Sequence, residues 1–299
     1  MYYEHQYSGD IIVVRSGGDI ATGVVQKLWR AGFRVAVLET AAPLTIRRSV
    51  ALSTAVRAQS HTVEDMAAIL VPDAASCETA WSSSCIPVLV DPAMHSLDVL
   101  RPVALVDAII AKRNTGMHPA LAPITVALGP GFSAPEDVHC VVETMRGHNL
   151  GRLILKGTAL PNTGVPGELG GKSAERVLHA PVPGLLRHVR SLGDQVEKDE
   201  ILFTINESPV RSRLSGTLRG LIEDGSVVRK GLKCADVDPR PADQVDWLTI
   251  SDKARALGGA VLEAFFMLAA RKGLTLLPGT ATWASARNTD EGRQRGYAQ

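Results

Sequence analysis

The side chains able to do chemistry concentrate in residues 126–171, where Glu143, Arg146, His148, Asn149, Lys156 and Asn162 stand among glycines and prolines. A carboxylate, a guanidinium, an imidazole, an amine and two amides, each in a different place, make the donor and acceptor set of a binding site rather than of a solvated charge run. Glycine lets backbone N–H groups approach a guest and supplies turns that need φ > 0. Proline stiffens the same loops. The short apolar runs around Val141 and Leu153 distinguish the stretch from a flexible linker. The plainer reading of any one glycine is a tight turn between strands. Two such turns draw attention: Ser16-Gly17-Gly18-Asp19 follows the apolar run of residues 11–15, and Gly129-Pro130-Gly131 follows that of residues 123–128. Amide donors of Gly17, Gly18, Gly129 and Gly131, with the positive end of a helix beginning at Asp19, suit pyrophosphate. Glu39 lies roughly 20 residues past the first turn, where an acidic side chain can hold ribose hydroxyls, and Asp107 stands at a strand end where open sheets place ligand groups. Those residues form the candidate cofactor-binding set. The fingerprint is imperfect, because Ser16 replaces its first glycine and Asp19 sets a carboxylate beside the phosphate position.

These residues need a scaffold. Residues 11–15, a helix with the stripe Val24, Val25, Leu28 and Trp29, the stop at Gly32 and the apolar run to Glu39 read as strand, turn, helix, strand. Ser60 to Glu64 leads into an Ala-rich helix, residues 86–92 and 102–107 add strands, and residues 134–145 read as a helix. That helix would put His139 and Glu143 on one face. A metal held there with His148 is conceivable, but an exposed pair is the commoner outcome, and no metal is assigned. Alternation of this kind predicts an α/β, Rossmann-like, doubly wound and mostly parallel sheet over residues 1–175.

The pattern then changes to short strands with an internal repeat. Gly184, Leu186, Gly193, Val196 and Lys198 match Gly216, Leu218, Gly225, Val228 and Lys230. Two such halves predict a barrel-sandwich hybrid over residues 176–240, like biotinyl and lipoyl carrier domains. The hairpin between the halves, residues 206–216, has no lysine to acylate, so a swinging arm is not expected and the module reads as scaffold or docking surface. Residues 241–299 supply a closing helix capped by Ser251, with a stripe of Leu257, Val261, Phe265 and Leu268. The pair Gly258-Gly259 costs about 1 kcal/mol per glycine inside it, which calls for close packing or a break. The tail from Pro278 reads as disordered.

A length of 299 residues with 45% apolar and 21% charged residues supports buried cores. A net charge of +1 gives no reason to expect nucleic acid or an anionic membrane as partner. Four Trp, four Tyr and five Phe offer no base-stacking platform. Cys77, Cys85, Cys140 and Cys234 are too scattered for a disulfide framework or a zinc site. With no signal-peptide layout and no membrane-spanning run, the expected location is the cytoplasm. A homo-oligomer is left open.

The runs GGDIATGVVQKLWRAGFRVAVLE (17–39), IPVLVDP (86–92), ETMRGHNLGR (143–152), ALPNTGVPG (159–167) and ISDKARALGG (250–259) occur in that order. On them the chain resembles the accessory-protein family of the selenium-dependent molybdenum hydroxylase system, similar in setting to xanthine dehydrogenase accessory proteins. The resemblance implies maturation: binding a molybdenum cofactor such as molybdopterin dinucleotide and delivering it to, or modifying it for, an apo-hydroxylase partner. It assigns no catalytic residue and leaves open whether the chain is an enzyme. Competing expectations are an NAD(P)-dependent oxidoreductase, with Glu39 favouring NAD, and a non-catalytic docking scaffold. A thiol carrier using Cys77, Cys85 or Cys140 is a further one.

Overall fold

The computed structural model describes residues 3–6, 9–164, 168 and 170–283. Its centre is a nine-stranded sheet built from β1 (Ile11–Arg15), β2 (Arg34–Glu39), β3 (Ser60–Val63), β4 (Met66–Leu70), β5 (Cys85–Val90), β6 (Ala104–Asp107), β7 (Ile124–Leu128), β8 (Cys140–Val142) and β9 (Leu153–Ile154). The order across the sheet is β9-β8-β7-β6-β1-β2-β5-β4-β3. The seven strands from β8 to β4 run parallel, and β9 and β3 close the two edges antiparallel. The inner strands are apolar almost throughout because both faces are covered. Ile12, Val14, Val35 and Val37 point to one core, and Val13, Ala36 and Leu38 point to the other with Trp81 and Leu105.

The first of these cores is roofed by two helices, α1 (Asp19–Arg30) and α2 (Asp252–Arg271). They cross with backbones nearly touching. A Cβ on Gly23 would come within 2.5 Å of the Ala254 carbonyl oxygen, and one on Gly258 would overlap Gly23 itself. Gly258 of the α2 pair therefore marks close packing, Gly259 faces open space, and the helix runs through both unbroken. Ser251 caps α2 as expected, its Oγ accepting from the Ala254 N–H at 3.2 Å.

Several expectations need correction. Residues 60–70 form the β3–β4 hairpin instead of opening a helix. Glu64 takes φ 54° at the turn, and Met66 and Ala68 alternate inward with strand period. Residues 134–145 are likewise not a helix. The Asp137 carboxylate accepts from the Ser133 N–H at 2.8 Å and holds a turn, after which Cys140–Val142 joins the sheet. His139 and Glu143 consequently flank β8 at its two ends and lie on no helix.

These two regions are where a doubly wound sheet would carry crossover helices. What forms is an α/β fold with a large mixed sheet plus antiparallel sheets, in place of the expected Rossmann-like sheet joined to a barrel-sandwich hybrid. Residues 177–238 supply two four-stranded antiparallel sheets. One contains Val177–His179, Lys233–Asp238, Gly216–Leu221 and Gln195–Val196; the other contains Ser208–Arg211, Ile201–Ile205, Gly184–His188 and Val227–Val228. The repeat is visible here, since the long strand of each half pairs with the short strand of the other. The tail is also corrected in part. Thr280–Trp283 pairs antiparallel with Tyr3–Gln6, and residues 284–299 lie outside the described residues. Among the described residues no helix is long and apolar enough to cross a membrane.

Candidate functional site

Both glycine turns leave the carboxyl edge of the parallel strands, one after β1 and one after β7. Neither offers the free cradle expected of it. The Gly17 N–H donates to Glu39 Oε2 at 2.9 Å, the Gly17 carbonyl accepts from Ser53 at 2.9 Å, and the Gly18 N–H donates to Ser16 Oγ at 3.0 Å. A Cβ on Gly17 would lie 2.6 Å from the Ser53 nitrogen, so the turn is pressed against protein. Glu39 is buried and its other oxygen accepts from Thr40, which leaves nothing for a ribose. In the second turn the Gly129 N–H donates to the Val142 carbonyl at 2.9 Å, and Gly131 packs on the backbone of Lys112 and Arg113. Asp107 is fully buried and paired with Arg15 at 2.7 Å. Burial pushes its pKa up against the pull of that guanidinium.

The polar residues of 126–171 scatter. Glu143 is buried and serves its own loop, accepting from Met145 and Leu160 N–H groups at 2.7 Å each. Arg146 clasps Asp252 with both terminal nitrogens, at 2.9 and 3.0 Å. That pair holds the Asp252 pKa down to about 2. His148, Asn149, Lys156 and Asn162 are exposed. Asn149 and Lys156 border an open recess of about 350 Å³ with Arg152 and Thr158. Asn162 faces Lys112 instead: with its amide in the orientation that satisfies both atoms, its oxygen accepts from Lys112 Nζ at 3.0 Å.

A denser constellation lies where this carboxyl edge meets the N-terminus of α2 and the strand Lys233–Asp238. Asp19, at the first turn of α1, stands 4.0 Å from Arg47, which also donates to the Thr249 carbonyl at 3.1 Å. Arg176 donates to Asp236 at 2.6 Å, Arg219 bridges Asp236 and Asp238, and Arg240 holds Asp238 at 2.7 Å. Arg47 and Arg176 are buried, and the Nε of each has no hydrogen-bond partner among the described residues. Burial lowers the pKa of both guanidiniums. Lys233 is exposed, and the protein around it lowers its pKa by partial desolvation, against the pull of Asp236 and Asp19. Lys253 on α2 is lowered in the same way, with Arg146 adding to the effect and Asp19 opposing it. Positive charge taken out of water next to unanswered donors is the arrangement that an anion relieves. Asp19, Glu143 and Arg146 of the expected set reach this neighbourhood. In the sequence Arg47 and Arg48 form a loop pair that could meet phosphate or a carboxylate but is more commonly just solvated, whereas Arg176, Lys233 and Lys253 carried no local signal. The one available clue was the strand Lys233–Asp238, which buries two aspartates.

No group of three or more His, Cys, Asp or Glu among the described residues could hold a metal. All four cysteines are unpaired. Burial pushes Cys77 up to about 12 and Cys140 and Cys234 up to about 11, which removes thiolate chemistry from them at neutral pH.

No protein-family model matches the chain. It is 45% identical over 264 residues to the uncharacterized protein YqeB of Escherichia coli K12, a match covering 88% of this chain and 49% of that protein. The chain therefore spans about half the length of the curated relative. Among solved structures, it is similar to the ectoine utilization protein EutE (DoeB) of Ruegeria pomeroyi, at 11% identity and TM-score 0.24 over 79% of this chain and 87% of that one. An aspartoacylase family protein of Mesorhizobium loti gives 11% identity and TM-score 0.26 over 78% and 87%. At such TM-scores neither lends this chain an activity. None of these findings points to maturation of a selenium-dependent molybdenum hydroxylase: the relative's name states no role, and the solved structures are of an ectoine utilization protein and an aspartoacylase family protein. That expected kinship and function, with the oxidoreductase and scaffold alternatives, are withdrawn.

Proposed function

We propose that the junction of the sheet's carboxyl edge with the antiparallel module binds a small molecule carrying phosphate or carboxylate groups. One observation carries this reading: the guanidinium Nε–H groups of Arg47 and Arg176 are buried with no acceptor among the described residues, in the neighbourhood of the exposed ammonium of Lys233. Buried donors left unanswered cost roughly 1–3 kcal/mol each, more when charged, and an oxyanion answers them with charge-assisted bonds. Open α/β sheets also receive ligands at the carboxyl ends of their strands. Lys233 and Lys253 supply the outer charge, and Asp19 orients the Arg47 head. A cytoplasmic setting belongs to the same reading, in keeping with four unpaired cysteines.

Calorimetric titration of the full chain with inorganic pyrophosphate, NAD and NADP tests it. Saturable binding is expected, weakened about tenfold or more by Lys233→Met, the loss of a charged hydrogen bond being worth about 1.5–3 kcal/mol. NAD and NADP are expected to bind alike, because Glu39 is committed to Gly17 and cannot select between them. Equal affinity of wild type and Lys233→Met for every ligand that binds would remove the junction from the account.

A further inference from the structure

The junction is assembled from two parts of the chain, and each part brings one unanswered donor. Arg47 comes from the sheet side. It lies beyond β2, donates to the Thr249 carbonyl ahead of α2 at 3.1 Å and stands 4.0 Å from Asp19 of α1. Arg176 comes from the antiparallel module. It ends the short turn Ala174–Arg176 that leads into Val177–His179, and it donates to Asp236 at 2.6 Å. Both residues are more than nine-tenths buried, and the Nε of each has no acceptor among the described residues.

Neither head is free to seek an acceptor elsewhere. The residues on either side of Arg47 are tied to the module: the Ile46 carbonyl accepts from the Leu221 N–H at 2.7 Å, and Arg48 donates to the Leu221 carbonyl and to Glu223, at 2.7 Å each. Arg176 is held by Asp236. The two guanidiniums cannot answer one another, because both only donate. A guanidinium fork anchored at one nitrogen also fixes where its Nε–H points. The two donors therefore have separate anchors on separate parts.

The charge balance agrees. Arg176, Arg219 and Arg240 share the carboxylates of Asp236 and Asp238. Asp19 is the further carboxylate that acts on both Arg47 and Lys233. Those five cations meet three anions, so two positive charges go unmatched, and a lone carboxylate would answer one of them. The neighbouring Arg146–Asp252 pair, and Lys253 with Glu143, add no net charge.

We propose, resting on the reading of the junction above, that its ligand carries two anionic groups on a short bridge, one answered by Arg47 from the sheet side and the other by Arg176 from the module side. A diphosphate and a short dicarboxylate share that chemistry. The ligand spans the two parts, and neither part alone makes the site.

The experiment follows the Arg47 and Arg176 Nε–H resonances by NMR on the full chain during separate titrations with inorganic phosphate, pyrophosphate and malonate. With phosphate the two resonances are expected to saturate at different concentrations, each donor taking its own anion. With pyrophosphate or malonate they are expected to move in one step, and the ligand that achieves this names the class. Arg176→Lys keeps a cation beside Asp236 and loses the Nε–H. It is expected to weaken pyrophosphate about tenfold or more and to leave the Arg47 response to phosphate unchanged. Should that variant not fold, the wild-type titrations decide alone. Joint saturation at one phosphate concentration would show a single group answering both donors; it would overturn the two-group ligand and leave anion binding at the junction standing. Separate steps with both pyrophosphate and malonate would overturn it in the same way. No shift with any of the three would overturn this proposal and the junction reading together.

Discussion

The turn at Gly17-Gly18 and the junction around Lys233 both belong to the carboxyl edge of the sheet, yet they differ in how their donors are answered. In the turn every donor discussed has a protein acceptor: Glu39 takes the Gly17 N–H and Ser16 takes that of Gly18. At the junction the protein brings guanidinium groups out of water and leaves the Nε of Arg47 and of Arg176 without a partner among the described residues. A glycine-rich turn after a first strand is thus no evidence of a phosphate cradle until its amides are accounted for. Residues remote in sequence can do the work the turn was expected to do.

The comparison can be broken in several places. The largest effect is expected where glycine is purely architectural. Gly258→Val drives a side chain into the backbone of Gly23 and should destabilise the chain by about 3 kcal/mol or more, read by urea denaturation. Stability unchanged within error would mean the α1–α2 crossing is looser than described. Next, Glu39→Ala should cost about 1–3 kcal/mol by stranding the Gly17 N–H, while pyrophosphate affinity stays as in wild type. A selective loss of affinity would return the turn to the binding site. Thiol labelling of the native chain should modify Cys85 first, since Cys77, Cys140 and Cys234 are buried and pushed up to about 11 or 12. Rapid labelling of any of those three without unfolding would contradict that burial.

The smallest effect concerns Arg146. Because the folded Asp252 pKa lies near 2, below its ordinary value, the pair adds stability above the usual carboxylate range and loses it as pH falls toward 2. Arg146→Ala should return Asp252 to the usual range with a stability change of a few tenths of a kcal/mol, as both groups are largely exposed. An Asp252 titration that does not move, followed by carbon NMR, would show that the ion pair is not what holds it.

How far the sequence led can be judged from particular residues. The opening strand, helix and strand were legible because Val24, Val25, Leu28 and Trp29 recur at helical spacing between two apolar runs. The close approach at Gly258 was legible because glycine inside a helix needs a reason. Ser60 to Leu70 misled, since alanine favours helix while burial alternation and pairing with β5 override that preference. Residues 134–145 misled because an i, i+4 spacing says nothing until a helix exists. The junction was the least legible part. Asp19, Arg47, Arg176, Lys233 and Lys253 come from distant segments, and only the folded chain sets their charges against one another.

The most direct measurement is an NMR titration of the full chain with pyrophosphate that observes both regions at once. The Arg47 and Arg176 Nε–H resonances should shift and saturate together, and the Gly17 and Gly18 amides should stay in place. Shifts at the two glycines with the arginine resonances unmoved would contradict the account.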